Sequence, residues 1–253
     1  MSARRVLLSV DEFAVACADH DISLPIGYAP TVRAGAADAD VASAADAARA
    51  HLNARGISGP ALAAVAHNLR LIAAARILVD TQIAGGDHGL RCLIALDDTV
   101  GATLIHSGDR GVELSVWPAT ALPHELRRIV PPTESALALP SVRILVDTLI
   151  SALALDAHGH DDAERLLVNE TGIAAADAAE LIDLCAHARG SLHSTVLTAT
   201  DGGVTAVAHV VWVLTDAGWL GLRRSGHGAV ETAPVTADDL GAYLAPTLAE
   251  LVA

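Results

Sequence analysis

Residues 46–58, DAARAHLNARGIS, return 116 positions later as DAERLLVNETGIA at 162–174, with Asp, Ala, Arg, Asn, Gly and Ile in matching places. The echo continues through Leu96, Asp98, Leu104, Ser107, Gly108, Val112 and Glu113, which precede Leu214, Asp216, Leu222, Ser225, Gly226, Val230 and Glu231 by 118 residues. Val6, Val10 and Asp11 precede Val142, Val146 and Asp147 by 136, the larger offset reflecting an extra stretch around residues 22–40. A spacing beyond 100 residues is far too long for a solenoid, so the pattern predicts a duplicated half-domain arranged about a pseudo-twofold axis. The halves are expected at 1–130 and 140–253 of one unit spanning 1–253, joined by a hinge carrying Pro131, Pro132 and Pro140.

At 253 residues the chain can bury roughly 70–75% of its unfolded surface, enough for a core that needs neither disulfide nor structural metal. Its three cysteines, Cys17, Cys92 and Cys185, are odd in number and lie in apolar, regularly patterned stretches, which suits buried thiols in a reducing, cytoplasmic setting. Arg4 and Arg5 precede an apolar run too short for a signal peptide, and the later apolar runs are broken by Arg143, Asp147 or His209. The sequence therefore predicts no membrane insertion. A formal charge of −14 with 16 basic residues opposes binding to a phosphate backbone, so nucleic acid is not an expected partner.

Residues 4–10 read as a short strand and 11–20 as a helix with an acidic first turn. Residues 38–55 and 59–74 have helical spacing, with Gly56 placed for a C-cap and Pro60 for a first turn. From 76 to 117 the period changes to two across ILVDTQI, LRCLIAL, ATLIH and VELSVW, separated by short turns, which predicts four antiparallel strands. A helix follows from Pro118 to Arg128. The second copy repeats this order, with a strand and helix at 142–155, helices at 160–171 and 174–188, strands at 191–200, 204–214, 218–224 and 229–235, and a closing helix at 237–251. The fold class is α+β.

Alternation places Cys92, Ile94 and Leu96, matched by Val210, Trp212 and Leu214, on a face expected to lie against helices. The other face carries Arg91, Leu93 and Ala95, matched by His209, Val211 and Val213. It is largely apolar with a basic or titratable group in each copy, so it either meets a partner or is covered by the chain's own helices.

His158, His160, Asp161 and Asp162 could hold a divalent ion, which would make the chain a metal-dependent hydrolase; the two aspartates equally suit the acidic start of a helix. Gly85-Gly86-Asp87-His88-Gly89 lacks the following helix that a phosphate cradle needs and reads as a hairpin turn. No Gly-x-Ser-x-Gly elbow occurs, and the cysteines lack basic neighbours at motif spacing. The absence of a catalytic set favours a binding protein over an enzyme, with a small-ligand sensor having its pocket between the copies as a further alternative.

The segment GSLHSTVLTATDGGVTAVAHVVWVLTDAGWLGLRRSGHGAVETAPVTADDLGAYLAPTLAEL at 190–251 resembles the C-terminal half of the EspG family, proteins associated with the actinobacterial ESX, or type VII, secretion system. Asp216, Gly218 to Arg224 and Ala233 to Thr236 carry the likeness, and VLLSVDEF at the start and the paired helices extend it over essentially the whole chain. The resemblance implies a central antiparallel sheet with two helical bundles and a quasi-twofold axis. It implies a cytosolic chaperone, not an enzyme and without a cofactor, that grips the apolar tip of a PPE protein within a PE–PPE heterodimer; a homodimer is a further option. Carried onto this chain, the family's contact surface implies partner binding by Gly85, Gly86, Asp87 and His88 in the turn and by Arg91, Leu93, Val211 and Val213 as outward sheet positions.

Overall fold

The computed structural model describes residues 4–25, 27–28, 37–85, 88–107, 111–133, 137–156, 159–200 and 203–252. The first half runs β1 (Arg4–Leu8), α1 (Val10–Ala18), α2 (Asp38–Ala54), α3 (Pro60–Ala74), β2 (Ile77–Gly85), β3 (His88–Leu96), β4 (Val100–His106), β5 (Val112–Pro118) and α4 (Leu122–Ile129). The second runs β6 (Val142–Leu145), α5 (Val146–Asp156), α6 (His160–Thr171), α7 (Ala175–Ala186), β7 (Gly190–Thr200), β8 (Gly203–Thr215), β9 (Gly218–Arg224), β10 (Ala229–Val235) and α8 (Asp239–Val252).

Local signals set the helix ends. Ser9 caps α1 with its hydroxyl, which accepts from the Glu12 amide at 3.1 Å, while the Glu12 carboxylate accepts from the Ser9 amide at 2.8 Å. This reciprocal box satisfies two amides that the first helical turn leaves unpaired. Glu12 is buried, and its charge is matched by Arg55 at 2.6 Å, which ties the end of α2 to the start of α1. After α2 and α6 the chain turns at Gly56 (φ 72°) and Gly172 (φ 74°), the same place in the repeated segment. A left-handed backbone there favours glycine at both positions.

All ten strands join one antiparallel sheet in the order β1-β5-β4-β3-β2-β7-β8-β9-β10-β6. Each half contributes five strands in mirrored order, and they meet where β2 pairs with β7, from Ile77 opposite Thr198 to Gly85 opposite Gly190. At Gly190 a Cβ would stand 2.2 Å from the Ala84 carbonyl oxygen, so the seam closes only around a glycine. Thr81 and Ser194 share a buried hydroxyl hydrogen bond of 2.9 Å across the same seam.

Paired residues on neighbouring strands share a face, so the register assigns each core to a side of the sheet. On one face, Val79, Cys92, Ile94, Leu192, Trp212 and Trp219 pack with Leu126 and Ile129 of α4 and Leu240, Leu244 and Leu248 of α8. On the other, Leu78, Leu93, Ala95, Leu104 and Leu114 pack under α1, α2 and α3. The same face in the second half buries Val142, Ile144 and Leu220 with Leu149, Leu167 and Leu181 of α5, α6 and α7. Two three-helix bundles thus stand on one face, and the central strands run between them.

Candidate functional site

Between the bundles the sheet floor is open. The register lines up His106, Arg91, Gln82, His193, Val211 and Leu222 side by side from β4 to β9. Gln82 and His193 are exposed, and the other four are half-buried. Five strand steps of about 4.8 Å make this strip about 24 Å long. Its polar end adjoins the first bundle and its apolar end, with Val213 beside Ser191, adjoins the second.

Arg91 is held in place rather than free. Its guanidinium lies 3.2 Å from Asp80 Oδ2 and 4.6 Å from the centre of the Tyr28 ring. Tyr28 donates its hydroxyl to Asp80 Oδ1 at 2.6 Å, and burial, then that hydrogen bond, push its pKa well up, so it stays a donor. Gly27 (φ 90°) passes so close that a Cβ there would fall 1.8 Å from Arg91 Nη1. Gly27 and Tyr28 thereby clamp the arginine on the floor of the cleft, with about a third of its side chain (34%) left exposed.

The structure separates the residues expected to bind a partner. Arg91, Val211 and Val213 lie on the open face. Leu93 does not: it is 1% exposed beneath α1, α2 and α3, which corrects its expected outward position. Leu93 has the right parity but sits on the part of that face that the first bundle covers. Gly85 ends β2 opposite His88. Gly86, Asp87 and the His88 side chain lie outside the described residues, as does His158. His160 is bound to Asp156 at 2.6 Å and Asp162 to Arg165, so neither is turned to the other. Among the described residues no three His, Cys, Asp or Glu side chains are grouped to hold a metal. Burial pushes the thiols of Cys17 and Cys185 up to about 11 and that of Cys92 higher still, which keeps all three protonated and poorly nucleophilic at neutral pH.

The register also reveals two groups that spacing alone did not select, His106 and His193. His106 packs edge-on against Phe13 at 5.4 Å, and its pKa is lowered by burial, then by Arg91. His193 and His209 face each other at 6.0 Å, with His209 Nδ1 2.9 Å from Thr195 Oγ1. Burial, then His193, lower the pKa of His209. A histidine whose folded pKa is depressed takes up a proton more readily when unfolded, so stability falls as pH drops below about 6.5. Urea midpoints measured from pH 7 to 5 should decline for the native chain, and His106→Gln should flatten part of that slope.

The EspG family model matches residues 9–245. In fold, the chain is similar to a solved structure from Mycobacterium tuberculosis, that of the type VII secretion system chaperone EspG5 in complex with a PE25–PPE41 dimer. The TM-score is 0.69 at 15% identity, over 98% of this chain and 96% of the other. No curated protein matches in sequence. Among the described residues no helix is long and apolar enough to cross a membrane.

Proposed function

Because the chain belongs to the EspG family, we propose that it is a chaperone of a type VII secretion system, which receives the apolar tip of a PPE protein within a PE–PPE heterodimer. The observation that carries this reading is the open strip between the two bundles, with half-buried Val211, Val213 and Leu222 at one end and a clamped Arg91 at the other. The similar structure of EspG5 is a complex with a PE25–PPE41 dimer, which supports the same class of guest here.

An aggregation-prone helical tip is kept soluble when its apolar side chains leave water against a matching surface. Here the covering surface is a sheet whose own hydrogen bonds are already satisfied by neighbouring strands, so the guest needs to supply side chains and no strand. A standard interface of about 1,600 Å² in total would hold the guest, and reversibility would allow its release before export. On this reading the protein is one unit of two related halves acting in the cytoplasm, the seam between them forming the guest's seat. Arg91, Val211 and Val213 would line its floor, and the turn residues Gly85 to His88 its rim.

Co-expression with a PE–PPE pair encoded nearby should give a complex with one copy of each chain on gel filtration. Separate elution with every such pair would contradict the proposal.

A further inference from the structure

The six strands that floor and flank the cleft, β4, β3, β2, β7, β8 and β9, carry a single acidic residue, Asp80, in a chain that has 30. Asp80 is already engaged by Tyr28 and Arg91. The basic and titratable groups on the open face are Arg91, His106, His193, His209 and Arg224. Strand alternation puts Arg224 on this face two residues past Leu222, where β8 and β9 end their pairing, its β10 partner Val230 packing with the second bundle. Arg223 points the other way and is bound to Glu231, whereas exposed Arg224 makes no ion pair among the described residues. In a chain of net charge −14, the open part of this face thus carries a single strand carboxylate, already engaged, against several basic or titratable groups.

Resting on the chaperone reading above, we infer that the cleft recognises an acidic side chain on the guest polypeptide, received by Arg224 together with His193 and His209, while Val211, Val213 and Leu222 take its apolar neighbours. An apolar guest is then selected by charge as well: one with a basic residue at that place would leave two like charges facing each other across a desolvated floor. Along the two cross-strand rows that carry the pair, the other titratable or charged groups are Asp80 in the row of His209 and Arg91 and His106 in the row of His193, with Arg224 of β9 on the same face by strand alternation. A guest carboxylate raises the histidine pKa values in the complex, so it contributes affinity that is present below the free histidine pKa and lost as pH rises through the bound one.

The test is calorimetric titration of the chaperone with a PE–PPE pair that binds it, from pH 8 to 5.5 and at two salt concentrations. Arg224→Gln should weaken binding about tenfold and reduce the salt dependence, with Arg224→Lys recovering part of the loss. The double variant His193→Asn/His209→Asn should abolish the gain in affinity at low pH that the native chain shows, while thermal midpoints confirm that each variant is folded. Native affinity that is flat or falls as pH drops, or Arg224→Gln and double-variant affinities within about twofold of native, would overturn the inference and leave the chaperone reading intact. Failure of the native chain to bind any PE–PPE pair would overturn both.

Discussion

Trp212→Ala should lower the stability of the fold by about 3–5 kcal/mol, the cost of emptying a large buried site that its surroundings cannot refill. Trp212 is fully buried, with its ring 6.2 Å from Trp219 and 6.1 Å, edge-on, from Tyr243 of α8. It lies across from Gly221, where a Cβ would stand 2.7 Å from Val235 Cγ1 and 3.4 Å from Trp212 Nε1. No strand lies between this cluster and the helices above it, so removing the ring loosens α8 from the sheet directly. At about 2–4 °C per kcal/mol for a chain of this size, thermal unfolding should fall by about 10 °C. Trp212→Phe is the informative control. The indole nitrogen is buried without a hydrogen-bond partner among the described residues, so phenylalanine keeps most of the packing and removes an unsatisfied donor. A phenylalanine variant as unstable as the alanine one would mean that the indole nitrogen is bonded after all.

Val213→Asp should reduce affinity for the PE–PPE guest by more than about a hundredfold, because it places a carboxylate, without a partner, where an apolar tip must close. Val213 is half-buried on the open floor, opposite Ser191 on one side and Leu220 on the other. Leu7→Asp supplies the comparison: Leu7 is 56% exposed on edge strand β1, on the opposite face of the sheet, and its replacement should leave affinity unchanged. Equal losses in the two variants would point to general damage and not to a docking floor.

Much of the fold was legible in the sequence because the determinants are local. Gly56 and Gly172 mark the same helix end, and the offset of 118 that separates Leu104 from Leu222 also separates β4 from β9. Strand parity was readable too, and the face carrying Cys92, Ile94 and Trp212 does lie under helices, those being α4 and α8. Leu93 shows what parity leaves open. Alternation gives the side of a residue, but whether a helix covers that side depends on how far along the strand order the bundle reaches. The first bundle spans Leu104 and Leu93 and stops short of Thr195 and His209, which lie in the same cross-strand row. Tyr28 carried no sequence signal, since it sits in an irregular stretch and reaches Asp80 and Arg91 through tertiary packing. The histidine pair was likewise invisible until β7 and β8 were paired, because His193 and His209 are separated by a turn and two half-strands.

The central claim is that the guest sits on the sheet between the two bundles. A structure of the chain bound to its PE–PPE pair tests it most directly: the account predicts the PPE tip against Val211, Val213 and Leu222, with a guest carboxylate at Arg224. A tip seated on α4 and α8, on the other side of the sheet, would contradict it.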